Sequence, residues 1–565
     1  MKKERILLFV ILLAAFLVRV YGLNFPLYHW DERIAFGNVF YASYHDLALP
    51  IYEHGSFLQY IILLIWFLYR AFSLMPFTTF DLMASFIGNM APYLILARIP
   101  LVLAGTGTVF LTYILAKRVY SKSVGNLAAF FLAFNFLHVA HSHYARGHIL
   151  AGFFIVLAVY YSVMIYQAGK QKYYIWVGLS LGLAVAAQYS GVLVFFVILI
   201  AHILRKKEAA PDLTYFSWLL NRSFLLSLNV AAISFFIVTP YALLDFSYYG
   251  AEMKWFLLQT LTKVHVDPEG QSVLLFYLTE HLKNGMGFGI EVLALGGVLY
   301  AAVKRRTEDI ILLIFPVILF FSFSKGENFA RYALPLIPFL MIFAARLLVS
   351  GGKFLPSRWR TSVLSVVAIL LIVPSLVNVA RYDYWITQID TREQAREWFI
   401  ENIPDGAKVV SEGADVLSVN LPLSVEFLEQ IISEAEVDSF NQTYHQALLD
   451  NASAETGYQF YKIFRLDESH NGTSVEPRED IVFYKDHDVM YLITVSWMQH
   501  SETNAYSPEF QKSLDTFYKE IAVFEPSVYF RWDPYAWRMD YEALSRIRLG
   551  EAGVGGPRLV IYQLR

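Results

Sequence analysis

Long apolar runs recur through the first two-thirds of this chain, and they constrain its fold more than any other feature. A helix rises about 1.5 Å per residue, so roughly 20 apolar residues cross a hydrocarbon core about 30 Å thick. Candidate spans fall near 5–23, 98–116, 124–141, 149–167, 173–190, 191–204, 223–240, 286–303, 309–323, 331–349 and 361–380. From about residue 381 the runs stop, and Asp, Glu, Lys and Gln become frequent. The chain therefore reads as a mainly α, polytopic membrane bundle over 1–380, followed by a soluble domain over 381–565. Composition agrees: 16% of residues are charged, against about 25% in soluble proteins.

A net charge of −3 argues against a nucleic-acid partner. With no cysteine in the chain, disulfides, thiolate catalysis and Cys-ligated zinc are excluded. The N-terminal run has the basic start of a signal peptide but no small-residue cleavage site, so it reads as an uncleaved first span.

Basic residues set the expected orientation, because cytoplasmic loops are enriched in Lys and Arg. Lys2, Lys3 and Arg5 place the N-terminus in the cytoplasm. Eleven spans put five later clusters on that side: Lys117–Arg118–Lys122, Lys170–Lys172, Arg205–Lys206–Lys207, Lys304–Arg305–Arg306 and Lys353–Arg358–Arg360. A span at the apolar stretch 57–75 would flip all five, so 57–75 is expected to lie in the interface or re-enter from outside. The soluble domain then falls outside a cell (inner or plasma) membrane.

The outer segments collect the unusual polar residues. Asp31 and Glu32 follow the first span within Tyr28-His29-Trp30-Asp31-Glu32. Paired carboxylates near a membrane surface suit general-base work, and a solvated acidic loop is the plainer alternative. His138, His141, His143 and His148 crowd one turn, and on an ideal helix His141 and His148 share a face. With Glu53 and His54 they are candidate ligands for a divalent cation. Hydrogen bonding of interfacial histidines to loop carboxylates or lipid phosphate is the alternative. Arg331 opens a span, where a guanidinium suits a phosphate; Arg98 and Arg146 are further candidates. Snorkelling to lipid head groups is the plainer role for such arginines. His265 and Asp267 lie in a long outer loop and read as surface residues.

Trp30-Asp31-Glu32-Arg33, Leu49–Ser56 with the apolar helix after it, and Ala97-Arg98 occur in an order that resembles the GT-C-fold membrane glycosyltransferases. His138–Tyr144, Gln188-Tyr189-Ser190-Gly191, Thr239-Pro240-Tyr241 and Arg331-Tyr332-Ala333-Leu334-Pro335-Leu336-Ile337-Pro338 continue it. The chain is most similar to the protein O-mannosyltransferase and aminoarabinose transferase superfamily, glycosyltransferase family 39-like. The likeness covers most of residues 1–410. It departs at His148, where relatives often carry Asp, and at Gln188, where a Lys is common.

The resemblance implies transfer of a sugar from a polyprenyl-phosphate donor to a protein, lipid or glycan acceptor on the outer face. Asp31 would be the base, with Glu32 orienting the acceptor or holding a cation. Arg98, Arg146, His148, Tyr189, Arg331, Tyr332, Glu53 and His54 would contact substrate or phosphate. No cofactor is required beyond a candidate divalent cation, for which His141, His143, His148 and Glu53 are the nearest ligands. Two other classes fit the same features: a polyprenyl-lipid transporter or flippase, and a non-catalytic protein that binds lipid-linked sugars.

In the C-terminal domain, Arg392–Asn402 reads as a helix with Asp390 or Thr391 as its cap, closed by the turn Pro404-Asp405-Gly406. Lys408–Ser411, Val489–Ser496 and Arg558–Gln563 read as strands. A small α/β domain is expected, used for acceptor binding or as a lid.

Overall fold

The computed structural model describes residues 2–26, 30–52, 55–76, 78–209, 214–262, 272–324, 329–412, 419–437, 439–452, 457–463, 481–496, 508–528 and 545–565. They form two compact units. The first comprises Met1–Leu23, His45–Trp66 and Ile95–Ala380; the second comprises Asn24–Tyr44, Phe67–Leu94 and Arg381–Arg565.

Every stretch expected to span is helical. Among the described residues, five helices are long and apolar enough to cross a membrane: Met90–Val119, Gly147–Ala168, Tyr189–Ala209, Ala330–Phe354 and Ser357–Trp385. Val273–Met286 and Phe288–Lys304, bent by 119° at Gly287, make a sixth if the pair is one span. The protein is thus a multi-pass membrane protein. About eleven spans were expected, several of them short, and the helices include short ones: Arg222–Ile237 has 16 residues, or about 24 Å of rise. Phe57–Phe72 also has 16 residues.

In the first unit, Gln171–Ala187 packs along both Gly147–Ala168 and Arg222–Ile237. The second contact is close because Gly178 has no side chain; a Cβ there would strike the Ser227 carbonyl. A buried ion pair lies inside this bundle, where an apolar surround favours pairing of charges. Arg346 donates to both carboxylate oxygens of Asp309, at 2.6 and 2.9 Å. The Tyr120 hydroxyl donates to Asp309 at 2.8 Å, and the Arg346 guanidinium lies 4.4 Å from the centre of the Tyr120 ring. The ends of three helices are tied by this cluster.

The second unit is built on a five-stranded sheet. Its strands are β2 (Lys408–Glu412), β3 (Gln459–Ile463), β4 (Tyr491–Ser496), β5 (Tyr518–Phe524) and β7 (Arg558–Leu564), in the order β3-β2-β4-β7-β5. The first three are parallel, and β7 runs antiparallel to both its neighbours. A small parallel pair, β1 (Ile389–Asp390) and β6 (Val554–Gly555), stands apart. The helix Thr391–Asn402 starts where Asp390 accepts from the Arg392 amide, and it buries Ala395 and Phe399 against Val409, Ile493 and Ile561.

Two helices from the segment between residues 24 and 97 belong to this unit. Trp30–Tyr44 meets Thr79–Gly88 through Phe40 and Phe86, whose rings are edge-on at 5.0 Å. The Thr79 hydroxyl donates to the Ser43 carbonyl at 2.8 Å. Tyr41 and Tyr44 both lean on Phe440 of the helix Phe440–Asp450, at 5.7 and 5.9 Å. Asn451 donates to the Ala84 carbonyl at 3.0 Å.

Candidate functional site

The histidine-rich turn lies between two helices, where the expected spans 124–141 and 149–167 leave it. Lys122–Ala133 ends, Phe136–Ala140 makes one short turn, and His141 closes it. Gly147–Ala168 then begins with Arg146 at its cap position. His141 and His148 therefore do not share a helical face. Distant side chains supply the partners for the broken backbone. Arg19 donates to the carbonyls of Ala133 at 3.0 Å and Leu132 at 3.2 Å, the exposed acceptors at a helix end. Its guanidinium also meets His138 Nδ1 at 3.0 Å. The Ser375 hydroxyl donates to the Phe134 carbonyl and accepts from the Phe136 amide. Sequence reasoning missed Arg19, although an arginine at the end of an apolar run was a visible signal.

Arg98 is fully buried and donates to the Leu23 carbonyl at 2.7 Å. His143 is also fully buried, with Nδ1 3.0 Å from the Val139 carbonyl and Nε2 3.0 Å from the Tyr21 carbonyl. Burial lowers its pKa to about 4, and the nearby Arg19 and Arg98 charges push the same way against the pull of the two carbonyls. The ring is neutral at pH 7, and both nitrogens face carbonyls rather than an open ligand position.

Arg146, His148 and Arg331 are all buried. The first turn of Gly147–Ala168 packs against the tight turn Ala330–Leu336, and there the His148 and Tyr332 rings stack at 5.7 Å and 29°. The Arg331 guanidinium lies 3.9 Å from the centre of the Phe329 ring and 5.3 Å from that of Tyr332. So four expected residues, Arg146, His148, Arg331 and Tyr332, lie at the starts of two spans, with His148 and Tyr332 in contact. A buried guanidinium beside aromatic faces can grip an anion that carries several oxygens.

A second group surrounds the loop from Asp46 to Tyr52. Tyr241 donates to the Asp46 carbonyl at 2.5 Å and Tyr60 to Leu47 at 2.8 Å. Tyr248 donates to Pro50 at 2.6 Å and Tyr189 to Tyr52 at 2.7 Å. Asp46 and Leu47 have φ of 48° and 73°, consecutive left-handed positions without glycine. Past this loop, Gly55 has φ of 72°, and a Cβ there would collide with the Ala186 and Ala187 carbonyls. Tyr189 thus serves as a loop anchor, with its neighbour Gln188 capping Gln171–Ala187.

Asp31 and Glu32 lie in the first turn of the helix Trp30–Tyr44, in the second unit, and Glu32 is buried. The side chain of Asp31 lies outside the described residues, as do Glu53, His54, His265, Asp267 and the stretch 325–328. Among the described residues, no three His, Asp or Glu side chains converge as metal ligands would.

Residues 73–243 match the family described as dolichyl-phosphate-mannose-protein mannosyltransferase. Across nearly its whole length the chain also resembles solved structures. One is ArnT from Cupriavidus metallidurans in the apo state: 12% identity, covering 99% of this chain and 98% of that one, with a TM-score of 0.52. Another is the oligosaccharyltransferase of Archaeoglobus fulgidus, tethered with an acceptor peptide containing the NVT sequon: 13% identity, covering 99% and 88%, with a TM-score of 0.50. No curated protein matches the chain. The chain has the GT-C fold. The family segment and the GT-C fold together indicate a membrane glycosyltransferase. That segment contains Arg98, Arg146, His148 and Tyr189, whereas Asp31, Arg331 and Tyr332 lie outside it.

Proposed function

We propose that this GT-C protein transfers a sugar from a polyprenyl-phosphate donor to an acceptor hydroxyl or amine on the outer face of a cell membrane. One observation carries the reading: buried Arg331 lies against the Phe329 and Tyr332 rings, and Tyr332 stacks on His148, two residues along the chain from buried Arg146, at the ends of two spans. Such a cluster suits a lipid phosphate, whose tail stays among the helices while its charge meets buried guanidiniums. The matched family's description names a dolichyl-phosphate sugar, and the tethered peptide in the archaeal structure supports a macromolecular acceptor.

The acceptor's oxygen or nitrogen attacks the anomeric carbon as the bond to the phosphate oxygen breaks, which inverts that carbon. Asp31 takes the acceptor's proton. A carboxylate is a weak base, with an ordinary pKa of about 3.9, but one held against the nucleophile suffices. Glu32 orients the acceptor or holds a cation. Arg331, with Arg98 or Arg146 as further candidates, stabilises the departing phosphate. That leaving group needs no separate acid.

The test is Asp31→Asn in membranes supplied with lipid-linked sugar. Loss of the transfer product, with lipid-sugar binding retained, supports the reading. Transfer at the native rate removes Asp31 as the base. Movement of the lipid across the membrane with no product would make the protein a transporter.

A further inference from the structure

Between Phe276 and Lys283 the chain leaves the α-helical path and makes a π-helical turn, Tyr277–Leu282. Such turns are rare, and many occur at functional sites. This one aims a buried phenol at the segment that leads into Arg331. Tyr277 is fully buried. A buried phenol needs a hydrogen-bond partner, and Tyr277 donates to the Phe329 carbonyl at 2.9 Å. Its ring stacks on Phe323 at 4.2 Å and 19°. A single tyrosine therefore holds the chain on both sides of residues 324–328, by its ring before them and its hydroxyl after them. His281, one turn on and buried, meets the edge of the Tyr277 ring at 5.0 Å and fixes its tilt.

The held residue is the one on which Arg331 rests. The Phe329 ring lies under the guanidinium at 3.9 Å, and Tyr332 carries the contact on to His148. Tyr277, Phe329, Arg331, Tyr332 and His148 make one column of contacts within the first unit.

We propose that Tyr277 is a positioning residue for the lipid-phosphate site: the π-turn holds Phe329, and through it the angle at which Arg331 presents its guanidinium. The inference rests on the reading of Arg331 as a phosphate ligand. An arginine grips phosphate through two parallel N–H donors, so its orientation matters as well as its charge. Tyr277 itself touches no substrate.

The experiment uses the full chain in detergent and undecaprenyl phosphate as the probe, titrated by microscale thermophoresis. Tyr277→Phe keeps the ring and removes the hydroxyl; Phe329→Leu removes the ring under Arg331 and keeps the carbonyl. Both should raise Kd about five- to tenfold with the unfolding midpoint within about 2 °C of native, and Arg331→Ala should raise it further. Combined with Arg331→Ala, Tyr277→Phe should add nothing, because coupled residues are non-additive. If Arg331→Ala binds as the native chain does, the reading of Arg331 as phosphate ligand is wrong. If Arg331→Ala weakens binding while Tyr277→Phe and Phe329→Leu leave it unchanged, that reading stands and the positioning role is overturned. An equal loss from Tyr277→Phe with or without Arg331 would overturn it too.

Discussion

The His148 imidazole stacks on the Tyr332 ring at 5.7 Å and 29°, joining the start of one span to the tight turn that opens another. Tyr332 in turn lies against Arg331, and Arg146 is two residues from His148 in sequence, so replacing the histidine separates shape from charge. His148→Phe keeps a flat ring, and polyprenyl-phosphate affinity should stay within about twofold. His148→Asp adds an anion that competes for the same guanidiniums and should weaken binding at least tenfold, or about 1.4 kcal/mol. Titrating both variants with undecaprenyl phosphate decides it. Equal affinity for the two would mean that no phosphate sits there.

How much of this was legible beforehand depended on the range of the interactions. Apolar periodicity is local, so the helical stretches and the cap at Asp390 could be read directly. The likeness in the Arg331–Pro338 motif marked Arg331 and Tyr332 before their contact with His148 was visible. The break at Asn135 could not be read, because Arg19 and Ser375 stabilise it from far along the chain. Weighed on an ideal helix, His141 and His148 share a face that the turn between the two helices does not make. Nor does spacing assign the Asp31–Glu32 helix to a unit. Its partners are Phe86 and Phe440, and Phe440 lies some 400 residues away in sequence.

The Asp46–Tyr52 loop makes its own prediction. Asp46 and Leu47 hold left-handed backbone that non-glycine residues adopt at a cost of about 1–2 kcal/mol each. Phenols from Tyr241 and Tyr60 offset it. Leu47→Gly should therefore be tolerated to within about 0.5 kcal/mol, since glycine adopts this shape freely. Leu47→Val should destabilise by about 1–2 kcal/mol, because a β-branched side chain tolerates positive φ least. Thermal unfolding in detergent provides the comparison. Equal midpoints for the two variants would show that no strain is stored there.

Asp309 and Arg346 form a buried bidentate pair, with Tyr120 completing it. Removing one partner strands the other charge, which costs about 3–5 kcal/mol; replacing both with apolar residues is often close to neutral. Asp309→Asn alone should thus unfold at a clearly lower temperature. The double variant Asp309→Leu with Arg346→Met should recover most of the loss. A double variant as unstable as the single would mean that the pair itself, rather than the stranded charge, sets the stability.

His143 supplies a pH dependence. Its pKa is about 4 in the folded chain, against about 6.5 when unfolded. Between those values the unfolded state binds more protons, so stability falls as pH drops from about 6.5 toward about 4. It levels off below that range, and the contribution is complete above it. The difference of about 2.5 units corresponds to roughly 3 kcal/mol at most. Gln cannot titrate, yet its amide can donate to one of the carbonyls that His143 now faces. His143→Gln should accordingly lose stability at pH 7 while flattening the decline between pH 6.5 and 4. Unfolding midpoints of both chains across that range measure the two slopes. Parallel slopes would assign the acid sensitivity to another group and leave His143 with a packing role alone.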